Sequence, residues 1–212
     1  GVSALGANTT ADNNTAVGRN ALAANTTASY NTAVGYSALD TNTTGAFNTA
    51  VGYAAMDNNT TGANNIAVGA AALDANTTAS NNIAIGTNTL TANTTGANNT
   101  AIGTNAGGAI TTGTLNVCLG LDAGKSTNLT TGTGNVVLGP YAHTSAADSD
   151  YANGIGYDIN AEAGYTTLGK AGDDIRAAHG NVTWATVSDE RVKKNITDAK
   201  AGLSFINDLR PR

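Results

Sequence analysis

Six Asn-Thr-Thr triplets are the residues of this sequence whose type and spacing most suggest chemistry. Each triplet fits the Asn-x-Thr acceptor pattern for N-linked glycosylation. They begin every 17 residues, at Asn8, Asn25, Asn42, Asn59, Asn76 and Asn93. Because the triplets share one register, sugars on them would form a line along one edge of a stack of repeats. The alternative is structural: each asparagine caps its own turn, and Asn and Thr side chains stack from repeat to repeat.

Other candidate residues do not form a recognisable site. Cys118 stands where Ala101 stands one repeat earlier, which predicts a buried small residue rather than a reactive thiol. His143 and His179 have no partners at metal-ligand spacing. Four loop aspartates lack the pattern of a calcium loop, namely Asp148, Asp150, Asp173 and Asp174. We therefore expect no cofactor and no metal.

Composition and charge exclude several function classes. The net charge of −5 argues against nucleic acid, since phosphate contacts need clustered Lys and Arg. No apolar run approaches the roughly 18 residues of a membrane-spanning helix, so we expect no membrane insertion. A glycan-degrading enzyme needs paired carboxylates in a cleft. Asp40, Asp57 and Asp74 instead recur at the repeat spacing, as solvent-facing turn residues would, so we expect no turnover enzyme.

A repeat of 17 residues without insertions must position all of these groups over residues 1–139. Its most regular marker is a glycine, at Gly1, Gly18, Gly35, Gly52, Gly69, Gly86, Gly103 and Gly120. An asparagine stands four places before almost every one of these glycines. A fixed period of this kind is typical of stacked structural units. Helices are not expected, because Asn, Thr and Gly dominate and a 3.6-residue period is absent.

A short strand precedes each glycine. In the second repeat, Thr32 and Val34 are β-branched and Ala33 lies between them. We expect the branched residues to form an apolar inner face and the alanines a small outer face that needs a cover. Two short strands and two turns per repeat describe one coil of an all-β parallel β-roll or β-helix. Because so thin a roll buries little, we predict self-association as a homotrimer about the long axis.

The Asn-x-Ala-Val/Ile-Gly coil resembles the head repeats of trimeric autotransporter adhesins and the shafts of many phage tail fibres. The resemblance implies a left-handed, trimeric β-roll for residues 1–139. Beyond Gly120 the glycine spacing changes to 19, then 17, then 13 residues, at Gly139, Gly156 and Gly169. Most charged residues also follow Gly139. We interpret residues 140–187 as degenerate coils that pass into an intertwined β-stalk.

The segment Ser188-Asp189-Glu190-Arg191-Val192-Lys193 matches the S-D-x-R-x-K motif that begins the intramolecular chaperone domain of phage tailspikes and fibres. This family resembles the endosialidase-type, self-cleaving serine peptidases. The resemblance implies a Ser188/Lys193 dyad, supported by Asp189, Glu190 and Arg191. A serine hydroxyl needs an adjacent base, and a desolvated lysine can serve. Residues 188–212 would be the incomplete start of that domain, including its first helix, and Val187–Ser188 the bond cut.

Two functions follow as expectations. The first is a structural tail-fibre protein on the virion, whose partners are its own copies and a host-surface receptor such as a glycan or outer-membrane component. It would mature by chaperone-assisted trimerisation and a single autocleavage near Ser188. The second is a bacterial surface adhesin or glycosylated extracellular fibril that is not cleaved.

Overall fold

The protein is a parallel β-solenoid. The computed structural model describes residues 1–126 and 129–180, and the backbone of 185–186. Eight three-residue strands, β1 to β8, each precede a repeat glycine, at Thr15–Val17, Thr32–Val34, Thr49–Val51, Ile66–Val68, Ile83–Ile85, Thr100–Ile102, Val117–Leu119 and Val136–Leu138. Six more complete the described fold, β9 to β14, at His143–Thr144, Asn153–Tyr157, Asn160–Ala161, Tyr165–Lys170, Asp173–Ala178 and Ala185–Thr186. None of these residues is helical.

One long sheet runs the length of the solenoid. Nine consecutive parallel pairings join β1 to β8 in order and then add β10 and β12. In the regular part the register equals the sequence period, so that Thr32 pairs with Thr49 and Val34 with Val51. At the C-terminal end, β13 and β14 turn antiparallel. The prediction of an all-β repeat solenoid is therefore confirmed, and the parallel stack continues past Gly139.

Corners in each coil are made by residues in the left-handed backbone region. In the coil that follows Gly35, these residues are Ser37, Leu39 and Phe47, with φ values of 51°, 56° and 60°. Three such corners recur in most coils. Left-handed φ is unusual for bulky side chains and persists where packing fixes it. Here Leu39 is fully buried, so its side chain is held in the core while its backbone turns the chain.

The core is a thin column of buried side chains that repeats from coil to coil. Leucine or methionine fills its centre, as at Leu39, Met56 and Leu73, each fully buried. Alanines line it from two sides, one from the strand centre and one from the residue before the leucine, as Ala50 and Ala55 do around Met56. Each coil therefore buries only a few apolar groups, and stability must come from adding coils.

The predicted assignment of the strand faces was wrong. Ala33, Ala50, Ala67 and Ala84 are fully buried and point into the solenoid, whereas the flanking β-branched residues form its outer face. Ile85, for example, remains 38% exposed. Size decides the direction: the opposite wall and the leucine column leave space for a methyl group but not for a branched side chain. The face that needs a cover is thus the apolar one.

The repeat glycine is required by close backbone approach. A Cβ atom built on Gly35 would overlap the carbonyl group of Gly52 in the next coil, and Gly35 also has a φ of 141°. The same overlap recurs along the column. Any side chain at this corner would therefore separate neighbouring coils.

Candidate functional site

The asparagines of the Asn-Thr-Thr triplets lie inside the solenoid. Asn25, Asn42, Asn59, Asn76 and Asn93 are fully buried. In the middle of this triplet ladder, Asn59 Nδ2 donates to Asn42 Oδ1 at 2.8 Å and to the Gly62 carbonyl at 3.0 Å. Its Oδ1 accepts a hydrogen bond from Asn76 Nδ2 at 2.8 Å. Both N–H bonds of the amide are therefore in use, which favours the structural interpretation of the triplets.

Glycosylation of these asparagines stays a prediction. Asn8, at the N-terminal end of the ladder, is the exposed member of the six. At the five buried positions a sugar on Nδ2 would remove a ladder hydrogen bond and has no room in the closed coil. Attachment there would have to precede folding.

A second ladder is formed by the asparagines that precede the strands. Asn48 N donates to Asn31 Oδ1 at 2.9 Å, and Asn48 Nδ2 donates to the Gly62 carbonyl at 2.8 Å. The Gly62 carbonyl thus accepts from both ladders, through Asn48 and Asn59. Buried polar groups of this kind cost little when they are satisfied and much when one partner is lost. The two ladders fix the register of neighbouring coils.

The outer strand face is a continuous uncharged surface. It consists of the first and third positions of strands β1 to β8 and the paired positions of β10 and β12. The first column holds Thr15, Thr32, Thr49, Ile66, Ile83, Thr100, Val117, Val136, Asn153 and Thr166. The second holds Val17, Val34, Val51, Val68, Ile85, Ile102, Leu119, Leu138, Ile155 and Leu168. Nine inter-strand spacings of about 4.8 Å make this face about 43 Å long.

Stacked aromatic rings flank this outer strand face near the N-terminal end. Tyr30 and Phe47, which precede strands β2 and β3, stack with centroids 5.0 Å apart. Tyr36 and Tyr53, which follow the same strands, stack at 5.4 Å, and the Arg19 guanidinium lies 5.9 Å from the Tyr36 ring. All four rings are exposed. They widen the apolar surface on both sides of the strands.

A column of aspartates lies at the corner after the leucine column. Burial raises the pKa of Asp57, and the neighbouring carboxylates of Asp40 and Asp74 raise it further. Burial also raises the pKa of Asp74. Like charges at coil spacing repel one another, so this column opposes the stacking that the ladders favour. Asp40 also accepts a hydrogen bond from Ser37 Oγ at 3.4 Å.

The single cysteine is a core residue. Cys118 is fully buried at the centre of β7, and burial raises its thiol pKa to about 12. His143 and His179 lie apart. His179 Nε2 is 3.2 Å from Thr166 Oγ1, at the edge of the outer strand face. Across residues 1–126 and 129–180, no three His, Cys, Asp or Glu side chains are grouped to hold a metal.

The four loop aspartates do not converge. Asp150 Oδ1 accepts a hydrogen bond from Thr133 N at 2.6 Å. Asp174 is 6% exposed in β13, and its burial raises its pKa against the opposing influence of its own backbone hydrogen bond and of Arg176. Arg176 pairs with Glu162 and lies over the Tyr165 ring, which joins β13 to the last parallel coil.

A groove, which the sequence analysis did not identify, lies beside the place where the repeat lengthens. Between Gly124 and Leu129 the chain carries two more residues than the preceding coil has between Gly107 and Ile110. Next to this insertion is a groove of about 430 Å³, lined by Asp122, Lys125, Ser126, Tyr141, His143 and Asp158. The 19-residue spacing and the isolated Lys125 were the available signals, because insertions in solenoids map to loops that often bind ligands.

The predicted autocleavage residues lie outside the described part of the chain. These are Ser188, Lys193 and the supporting Asp189, Glu190 and Arg191, together with the helix expected in residues 188–212. Their roles stay predictions. Among the described residues no helix is long and apolar enough to cross a membrane. No protein-family model, curated protein or solved structure matches this chain significantly.

Proposed function

We propose that this chain is a shaft segment of a homotrimeric fibre, of the kind found in phage tails, which spans distance and supports attachment to a host surface. The observation that carries the proposal is the outer strand face. Parallel sheets are normally covered on both faces. Here one face is covered by the core, and the other presents about 43 Å of uncharged, largely branched side chains.

A second and a third copy of the chain are the occupants that suit this face. A straight solenoid with one apolar side can bury that side by facing identical copies around an axis parallel to its own. All three copies would then run in one direction with their coils in step. The resemblance of the coil to trimeric adhesin heads and fibre shafts supports the number three.

The same proposal includes maturation. In the full-length precursor, Ser188 would attack the carbonyl carbon of Val187 after Lys193 accepts its proton. The peptide bond would break, and the C-terminal chaperone segment would leave. A glycosylated fibril is less well supported, because five of the six aligned asparagines are buried and fully hydrogen-bonded.

The assembly is tested by sedimentation equilibrium of the wild type beside two charge variants. Ile85→Glu places a carboxylate in the middle of the outer strand face. Thr78→Glu places it on an exposed corner of the preceding coil. We expect a trimer for the wild type and for Thr78→Glu, and monomers that keep their β-type circular dichroism for Ile85→Glu. A monomeric or dimeric wild type, or an Ile85→Glu trimer, would contradict the proposal.

A further inference from the structure

The groove beside the insertion has the chemistry of a ligand site. Asp122, Tyr141 and Asp158 each stand two residues after the glycine that ends a strand or lies within it, and all three have left-handed φ values of 56°, 58° and 51°. Most earlier coils place Ser, Ala or Asn at this corner, as at Ser37, Ala54, Ala71, Asn88 and Asn105. Two carboxylates and an aromatic ring therefore replace small residues in consecutive coils.

Neighbouring groups hold the acidic side chains in place. Asp122 Oδ1 accepts a hydrogen bond from Asn105 Nδ2 at 2.7 Å and lies 3.2 Å from Lys125 Nζ. The Asp122 side chain is 21% exposed, while that of Lys125 is 49% exposed. One carboxylate oxygen is thus fixed from two sides. The lysine is left with donors that face solvent.

Ser126 and His143 supply unused hydrogen-bonding capacity. The Ser126 hydroxyl oxygen is buried and has no hydrogen-bond partner among the described residues. His143 Nδ1 lies 2.9 Å from the Tyr141 carbonyl oxygen. Because a carbonyl can only accept, Nδ1 carries the proton, and neutral His143 has its lone pair on Nε2. The groove therefore offers both donors and acceptors.

The Tyr141 ring supplies an apolar surface beside these groups. It is 41% exposed, and its other neighbour is Tyr157, whose ring meets it edge to face at 5.7 Å. Small-molecule sites typically combine such a surface with a few convergent polar groups. A sugar ring matches this combination, because its C–H faces are apolar and its hydroxyl groups both donate and accept.

Charge limits the ligand further. With Asp122, Asp158 and Lys125 ionised and His143 neutral, the groove carries one net negative charge. Anionic ligands such as phosphate, sulfate or acidic sugars are disfavoured by this charge. From these observations we infer that the groove lined by Asp122, Lys125, Ser126, Tyr141, His143 and Asp158 binds a neutral saccharide. The inference deepens the attachment role proposed above and rests on it.

The test measures sugar binding to the protein by an array of neutral and acidic glycans, followed by calorimetry on any glycan bound. Tyr141→Asn removes the ring and installs the residue that other coils carry at this corner. The matched control is Tyr30→Asn, which removes a ring of similar exposure at another left-handed corner. We expect binding of at least one neutral glycan, weakened at least tenfold by Tyr141→Asn and unchanged by Tyr30→Asn.

Three results would overturn the inference: no neutral glycan bound at millimolar concentration, binding of acidic glycans only, or equal binding by wild type and Tyr141→Asn. Thermal melts of both variants separate loss of the site from loss of the fold. The oligomeric state reports separately on the shaft. A monomer that binds neutral sugar would contradict the trimer and keep the groove, whereas a trimer that binds none would do the reverse.

Discussion

Gly107 and Ile110 together replace Leu90 and Asn93, the residues found one repeat earlier in the same columns. A Cβ atom on Gly107 would lie 2.8 Å from Leu90 Cδ2 and 3.2 Å from Ile110 Cδ1. The isoleucine therefore occupies space that a leucine side chain fills in the preceding coils. The next coil repeats the exchange, with Gly124 and Leu129. Where the triplet ladder ends, a branched side chain crosses the core instead.

The exchange predicts strong coupling between the two sites. Gly107→Leu should overpack the coil and cost about 1–3 kcal/mol. Ile110→Asn should leave a void and cost about 2 kcal/mol or more. In the double variant each change makes room for the other, and the introduced amide can donate to Asn93 Oδ1, which lacks a partner in the described structure.

The measurement is a double-mutant cycle in urea. The double variant should be less destabilised than the sum of the single variants by at least about 1 kcal/mol. Backbone strain does not obscure the result, because φ is 60° at Gly107 and 50° at Leu90. Strict additivity would show that the two columns are independent.

Removal of one rung of the triplet ladder should destabilise the solenoid. Asn59→Ala deletes three hydrogen bonds and leaves Asn42 Oδ1 and one N–H of Asn76 without these partners. Each buried polar group left unsatisfied costs about 1–3 kcal/mol, so we expect a loss of about 2–4 kcal/mol.

The control for this change is the adjacent residue. Asn58 is exposed and donates only to the Asp74 carbonyl, so Asn58→Ala should change stability by about 0.5 kcal/mol or less. Chemical denaturation of both variants gives the comparison. Equal stabilities would mean that the ladder does not hold the coils together.

The aspartate column predicts a pH dependence of stability. The folded pKa of Asp57 is raised by burial and by Asp40 and Asp74, so the folded state binds more protons than the unfolded state as pH rises above the unfolded pKa of about 3.9. This contribution to stability therefore falls as pH rises through the folded pKa. Asp57→Asn should stabilise the protein at pH 7 by less than about 1 kcal/mol, since the side chain is partly exposed.

Thermal melts between pH 4 and pH 7 test this sign. The difference between Asp57→Asn and wild type should grow with pH, and Asp12→Asn, an exposed residue outside the column, should show no such trend. A variant that loses stability at pH 7 would contradict the repulsion.

Autocleavage is tested in the full-length precursor by intact-mass spectrometry. The wild-type product should end at Val187, because Ser188 attacks the carbonyl before it. Ser188→Ala and Lys193→Met should each leave the chain uncut, while Lys194→Met should be cut normally. An intact wild-type chain that carries hexose-sized mass increments would instead support a glycosylated fibril.

The 17-residue period predicted the solenoid because every column repeats its residue type, so the strand Thr32-Ala33-Val34 announces the next one. Alternation showed two faces but not which faced inward. We assigned the larger residues to the core, whereas the narrow interior admits only Ala33 beside Leu39. The groove was missed for a different reason. Asp122, Tyr141 and Asp158 are far apart in sequence, and only the stacking of coils brings them to one corner.

Because neighbouring coils meet through the same columns, they are interchangeable in most of the shaft. Val34 pairs with Val51 as Val51 pairs with Val68, and the glycine corner meets its neighbour in the same way each time. Gain or loss of one 17-residue unit would lengthen or shorten the solenoid by about 4.8 Å without creating a new kind of contact. Unequal recombination between repeated DNA segments would thus alter reach in fixed steps, and selection could set fibre length without redesigning its packing.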